Sequence, residues 1–272
     1  MTDPRPTSAF HPSNTDPAVT ERLIAALDAL AANPGVRQLR AWAHDRLAPA
    51  AGERALDVGS GTGSETQVLA AAVGPGGSAL GVEPHPGLRA LAERRAADAG
   101  SRARFLDGDA LALPLPDAEV DAARCERVLQ HLPDPARAVA EMARVLRPGG
   151  RLTLLDTEWS TFVVHPASPE VRTALATVVQ DAAAAPDAGR RLAEWEAAAG
   201  LTVDEFGSAV LLHDPRSVTW PLVHGLGTAA VERGLITEAQ RDRLYDELAA
   251  AAERGTFHLS VTMFAVAAHR PR

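Results

Sequence analysis

The sequence predicts an α/β fold: a mostly parallel, doubly wound, seven-stranded sheet with an antiparallel C-terminal strand and a helical cap. Three observations carry that prediction. From residue 49 onward, short apolar runs alternate with segments of helical periodicity, the pattern of right-handed crossovers between parallel strands. A turn containing Gly59, Gly61 and Gly63 joins the first strand of that series to its first helix. The last apolar run, at 256–269, alternates at Phe257, Leu259 and Val261, as expected of an antiparallel strand finishing the sheet.

The elements follow in order. Residues 1–15 read as a loose arm. Asp16-Pro17, a capping residue followed by proline, opens a helix with Val19, Leu23, Ile24, Leu27 and Leu30 on one face. Asn33-Pro34 opens a second helix to about residue 47, with Val36, Leu39, Trp42 and Ala43 in phase. Strands are expected at 55–58, 79–82, 103–106, 120–125 and 152–155. Helices are expected at 64–73, 86–99 and 135–146, the last ended by Pro148-Gly149-Gly150. Beyond Asp156 helices are expected at 168–185, 188–199, 216–233 and 237–254, with a strand within 201–212. The chain thus divides into an N-terminal helical arm and cap (1–48), a nucleotide-binding core (49–156) and a C-terminal part (157–272). That last part completes the sheet and inserts helical substrate-cap segments at 157–188 and 214–255.

Composition excludes several chemistries. All 27 basic residues are arginines, so no Schiff base, pyridoxal-phosphate anchor or P-loop lysine can form. The formal charge of −8 and the absence of a basic run disfavour a nucleic-acid partner. Cys125 stands alone, so no intrachain disulfide or multi-cysteine zinc site forms, no metal is expected, and a reducing cytoplasm is the expected compartment. Residues 1–19 lack the apolar core of a signal peptide, and no apolar stretch approaches the ~20 residues of a membrane span.

The informative segment is Ala55-Leu-Asp-Val-Gly-Ser-Gly-Thr-Gly-Ser64. Its glycines let the backbone bend and let a ligand approach the amides with no Cβ in the way. A dinucleotide loop reads G-x-G-x-x-G, and its third glycine would fall at Ser64; here the repeat is G-x-G-x-G. Asp57, just before the turn, repels a pyrophosphate but suits a ligand bearing an ammonium group. Glu83, at the end of the second strand, stands where a carboxylate can accept from both hydroxyls of a ribose.

On these residues the sequence resembles the class I S-adenosylmethionine-dependent methyltransferases. Leu56-Asp-Val-Gly-Ser-Gly-Thr-Gly63 resembles their first motif, and Asp107-Gly-Asp-Ala-Leu-Ala-Leu-Pro-Leu-Pro-Asp117 the segment that holds the adenine. Asp121-Ala-Ala-Arg-Cys-Glu126 resembles their fourth strand, and Arg144-Val-Leu-Arg-Pro-Gly-Gly-Arg-Leu152 the turn before the fifth. The likeness covers about residues 36–156 and is nearest to the ubiquinone/menaquinone-biosynthesis-like group, which includes many natural-product enzymes. It implies S-adenosyl-L-methionine as cofactor and S-adenosyl-L-homocysteine as product. It implies that Gly59, Gly61, Thr62 and Gly63 shape the methionine and ribose site, with Asp57 helping the amino group directly or through water. Glu83 would hold the ribose diol, Asp109 the adenine amino group and the Ala110 amide the ring, while Glu126 would pass the methionine end. Arg40 either pairs with the methionine carboxylate or lies on a solvated helix face.

Methyl transfer from a sulfonium needs alignment, exclusion of water and sometimes a base. His131 is one candidate base, with a structural histidine as the alternative. Glu158 is a second candidate, as base or as the seat of a cationic group; Trp159 either stacks on substrate or belongs to a lid core. His213, His224 and His258 read as packed histidines. The expected partner is a small, partly apolar molecule, with no nucleic acid and no membrane, and self-association as a homodimer is left open. Two other readings share the fold. One is a non-catalytic or cyclase-type protein that binds the same cofactor. The other is a nicotinamide-dependent oxidoreductase, which the glycine spacing and the lack of lysine oppose.

Overall fold

The structure is a computed structural model that describes residues 16–214 and 219–272. The expected arm at 1–15, and the start of the helix expected at 216–233, lie outside the described residues. Two helices come first, α1 (Pro17–Ala31) and α2 (Pro34–Leu47). The side chains of Asp16 and Asn33 accept from the amides of Ala18 and Gly35, so both caps form as expected. Next come β1 (Arg54–Val58), α3 (Ser64–Val73), β2 (Ser78–Val82), α4 (Pro86–Asp98), β3 (Arg104–Leu106) and β4 (Val120–Glu126). A short 3-10 helix (Leu129–His131) precedes α5 (Pro135–Val145), and β5 (Leu146–His165) follows. The chain continues through α6 (Pro169–Asp181), α7 (Ala188–Ala198), β6 (Thr202–Leu212), α8 (Thr219–Glu232), α9 (Glu238–Arg254) and β7 (His258–His269).

The described strands form a single sheet in the order β3-β2-β1-β4-β5-β7-β6. The pairings from β3 to β5 are parallel, and β7 runs antiparallel to both β5 and β6. The sheet class predicted from sequence is therefore the one observed. Its two faces are apolar because both are covered. Leu56, Val58, Ala123, Cys125 and Leu154 pack on α5 and α7 residues such as Val139, Met142 and Leu192. On another face Val36, Leu39 and Ala43 of α2 meet Met263 and Ala265 of β7 and Leu211 of β6.

The strand expected at 152–155 is much longer. β5 begins directly after α5 and extends well past the end of β4. The Pro148-Gly149-Gly150 turn becomes an irregularity within it, where the Gly149 amide donates to the Arg270 carbonyl and the Arg270 amide to the Gly150 carbonyl. Past the end of β4, β5 continues along β7, and β6 accompanies β7 as far as Ser260, so these strands extend beyond the rest of the sheet. Val164 and Leu259 on that extension pack with α6, α8 and α9 around a separate apolar core.

Candidate active site

The chain order reverses between β1 and β4, and at such a switch the carboxyl ends of parallel strands leave a crevice. A cavity of about 450 Å³ lies there, a volume suited to one small ligand or to two in contact. Gly59, Gly61 and Gly63 all adopt positive φ, at 71°, 53° and 81°. Only Gly61 faces open space: a Cβ there would meet nothing but Leu27 Cδ1, 3.7 Å away. A Cβ on Gly59 would fall 2.2 Å from Val128 Cγ2, and one on Gly63 would fall 2.7 Å from both Ala92 Cβ and Phe105 Cζ. Gly63 does not line the cavity. Its place is under the turn, where α4 and β3 press against it.

Glu83 forms one wall and is only 6% exposed. Its Oε2 accepts from the Gly61 amide at 2.8 Å and its Oε1 from the His85 amide at 2.9 Å. The first bond ties the glycine turn to the end of β2. Burial pushes the Glu83 carboxyl up, and the two amides oppose that shift. Each oxygen keeps lone pairs for further donors. Asp109 lines the same cavity and accepts from the Leu111 amide at 2.9 Å. Ala110 beside it is buried in the core below, and its side chain does not line the cavity.

Beneath Gly59 lies a network that the sequence did not reveal as a unit. Arg124 is 3% exposed and donates to Asp57 Oδ1 at 3.0 Å and to Glu126 Oε2 at 2.5 Å. Thr66 Oγ1 also donates to Asp57. Arg40 reaches from α2 to grip Glu126 with two prongs, Nε to Oε2 and Nη2 to Oε1, each at 2.8 Å, and lies 3.1 Å from Glu65. The solvated-face alternative for Arg40 is overturned, because a buried carboxylate recruits the guanidinium inward. Burial would raise Glu65, but Arg124, His44 and Arg40 outweigh it and hold the carboxyl at about 2. Burial likewise works against ionisation of Glu126, and Arg124 and Arg40 hold it below the ordinary range. Three carboxylates thus face two guanidiniums beside the cavity; burial pushes the Asp57 carboxyl up, and Arg124 and Thr66 oppose that shift.

On the opposite side the 3-10 helix carries His131 to the cavity wall. Asp156, at the end of the shared part of β5, accepts from the Gln130 amide, and Gln130 in turn accepts from Trp159 Nε1 at 2.6 Å. Asp156 and Trp159 therefore pin the loop that bears His131, and Trp159 packs into core. Burial first, and Arg127 second, lower His131 to about 4, so it is neutral at pH 7. Glu158 does not line the cavity. It is 3% exposed and accepts from Ser160 Oγ and from the Arg190 amide at the junction of β5 and α7. His213, His224 and His258 are also absent from the cavity wall; His213 is half-buried, but His224 and His258 are exposed, so the packed reading fails for those two. Residues missed by the sequence reading include Leu27, Leu30 and Ala31 of α1, which roof the cavity, together with Glu65, Arg124 and Arg127.

The residues fit S-adenosylmethionine. Gly61 leaves room against the turn, Glu83 offers acceptors for a ribose, Asp109 offers one for an exocyclic amine, and the carboxylate cluster offers acceptors for an ammonium group. Comparison with known proteins agrees. A family model described as methyltransferase domain matches residues 56–154. The chain is 35% identical over 245 residues to an uncharacterized 37.1 kDa protein in transposon TN4556 of Streptomyces fradiae, covering 89% of this chain and 70% of that protein. It is 39% identical over 104 residues to demethylmenaquinone methyltransferase of Thermus thermophilus, covering 38% of this chain and about half (47%) of that enzyme. In fold it is similar to phosphoethanolamine N-methyltransferase 2 of Haemonchus contortus in complex with S-adenosyl-L-methionine, with a TM-score of 0.60 at 18% identity, covering 98% of this chain and 60% of that one.

Proposed function

This chain belongs to the class I S-adenosylmethionine-dependent methyltransferases, and from that premise we propose that it transfers a methyl group to an oxygen, nitrogen or carbon atom of a small, partly apolar metabolite. The observation that carries the proposal is the meeting, in one cavity, of the ribose-type acceptor Glu83 with apolar walls from Leu27, Leu30, Leu88, Leu111 and Leu132. S-adenosyl-L-methionine is the cofactor; when bound it supplies an electrophilic methyl carbon and a neutral thioether leaving group. Everything else falls to the chain. Glu83 and Asp109 orient the nucleoside, and the Asp57–Glu65–Glu126 cluster holds the ammonium end. The leucines of α1 exclude water from the reacting atoms. His131, neutral and on the wall, accepts a proton from the acceptor atom.

Glu158 has no part in this scheme, because its carboxylate is committed to Ser160 and Arg190. The setting proposed is natural-product biosynthesis in the cytoplasm. The compartment rests on the single buried Cys125, and among the described residues no helix is long and apolar enough to cross a membrane. A homodimer is supported by one surface feature: Phe206, Val210 and Leu212 are exposed on one face of the edge strand β6. Light scattering on the purified protein decides it, and a monomer at micromolar concentration rejects it.

The test of function is calorimetric titration with S-adenosylhomocysteine, with NAD as the control. Micromolar binding of the former alone is expected; binding of NAD alone would overturn the proposal. Once a substrate is found, a labelled methyl group must appear in the product. An unlabelled rearranged product would make the protein a cyclase instead.

A further inference from the structure

Three arginines line the cavity, and two of them are spent. Arg40 and Arg124 are held by Glu126, Glu65 and Asp57. Arg127 differs. Among the described residues its guanidinium donates no hydrogen bond and joins no ion pair, and its Nε is buried without an acceptor. The nearby carboxylates are taken: Glu126 by the other two arginines, and Asp156 by the amides of Thr157 and Gln130. The backbone at Arg127 is in the left-handed region, φ 57°, which side-chain-bearing residues rarely adopt. It is held there by its amide, which donates to the Leu155 carbonyl at 2.8 Å, and by its carbonyl, which accepts from Gln130 Nε2. The turn is built, and a desolvated cation on a cavity wall lacks its counter-charge.

We propose that Arg127 receives an anionic group, a carboxylate or phosphate, of the acceptor substrate, an inference that rests on the methyl-transfer reading of the cavity. A planar guanidinium with a free fork matches either group. Another anion that could reach the cavity is the cofactor's own methionine carboxylate. The placement favours the substrate. Arg127 follows Glu126 at the end of β4: its amide donates to Leu155 of β5, and its charge acts on Asp156, His131 and His213 as well as on Glu126 and Arg40. Its charge lowers both of those histidines, after burial. The other two carboxylates suited to the cofactor's ammonium group, Asp57 of β1 and Glu65 of α3, pair with Arg124 and Arg40 instead. An acid bound at Arg127 also stands next to His131, so the group that anchors the substrate and the group that takes its proton share one loop.

The experiment uses the full chain loaded with S-adenosylhomocysteine. Wild type, Arg127→Gln, Arg127→Met and Arg127→Lys are titrated with salicylate, 4-hydroxybenzoate and inorganic phosphate, with methyl 4-hydroxybenzoate as the uncharged control. At least one anion is expected to bind wild type tenfold more tightly than the ester. Gln and Met are expected to abolish that preference, and Lys, which keeps the charge without the fork, to retain part of it. Affinity for S-adenosylhomocysteine is expected to change less than twofold. An ester that binds as well as the acids, an absence of anion binding, or a preference that survives in Arg127→Gln and Arg127→Met overturns the proposal. If these variants lose S-adenosylhomocysteine tenfold and keep 5′-methylthioadenosine, which has no carboxylate, Arg127 serves the cofactor and the proposal falls. Wild type that binds no S-adenosylhomocysteine overturns the methyl-transfer reading, and this inference with it.

Discussion

Glu83 shows how much one side chain is asked to do. It anchors the Gly61 amide, caps the turn at His85 and still presents lone pairs to the cavity. Replacing it with alanine is expected to weaken S-adenosylhomocysteine binding at least tenfold, or ~1.4 kcal/mol. An unchanged dissociation constant in a folded Glu83→Ala protein rejects the ribose assignment. At His131 the sign of the electrostatics is testable by itself. Burial and the Arg127 charge both favour the neutral ring, lowering it to about 4. Arg127→Gln removes the second cause, so the His131 ring resonance in NMR should titrate at higher pH in that variant. No change would mean that the guanidinium does not face the ring. His131→Ala should lower turnover more than cofactor affinity. Sequence exposed Glu83 because strand-end spacing is local, whereas the Arg40–Glu126 grip joins residues 86 positions apart and exists only once α2 lies over β4.

At the scale of elements, α1 and β5 behave differently from their neighbours. Helix α1 roofs the cavity with Leu27 and Leu30, yet Leu23 is its one buried residue. It is fastened to α4 by a half-exposed pair, Asp28 with Arg95, the sort of contact that contributes about 0–1 kcal/mol. Such an element opens locally more readily than the core. S-adenosylhomocysteine is therefore expected to slow amide exchange in α1 well beyond any change in α5. Equal protection of both helices would show that α1 does not act as the roof. The length of β5 corrects the expected helical cap at 157–188, whose first residues are strand; the signal was there in Trp159-Ser-Thr-Phe-Val-Val164, rich in aromatic and β-branched residues. What the segment alone cannot convey is that β7 is tall enough to pair with it.

The stability of the molecule as a whole carries an unusual load at Glu196. This residue of α7 is fully buried, and among the described residues neither carboxyl oxygen has a hydrogen-bond partner. Burial, with Asp204 nearby, raises it to about 9. A carboxyl whose folded pKa lies above its unfolded value near 4.3 keeps its proton in the native state. Its contribution is full below pH ~4.3 and is lost progressively as pH climbs toward 9. At pH 7 the penalty is on the order of 3–4 kcal/mol. Glu196→Met is expected to raise Tm by about 10 °C at pH 8 and by much less at pH 5. A gain that does not depend on pH would locate the effect in packing rather than in the buried proton.

By itself the sequence determined the sheet class, the glycine turn and the cofactor, because strand–helix alternation, turn glycines and a strand-end carboxylate are written in short, contiguous stretches. It also ruled out lysine chemistry outright. Tertiary structure alone decided the rest. Strand order brings β4 beside β1, which sets Arg124 and Glu126 against Asp57 and turns Arg40 inward from a helix that reads as solvated. The rise of β5 with β7 carries Glu158 off to Ser160 and Arg190, away from the chemistry assigned to it by position. The same geometry commits Glu126 and Asp156, the two carboxylates that act on Arg127, to other partners. Charge pairing in a folded protein is a contest among neighbours in space, and a linear sequence does not record who those neighbours are.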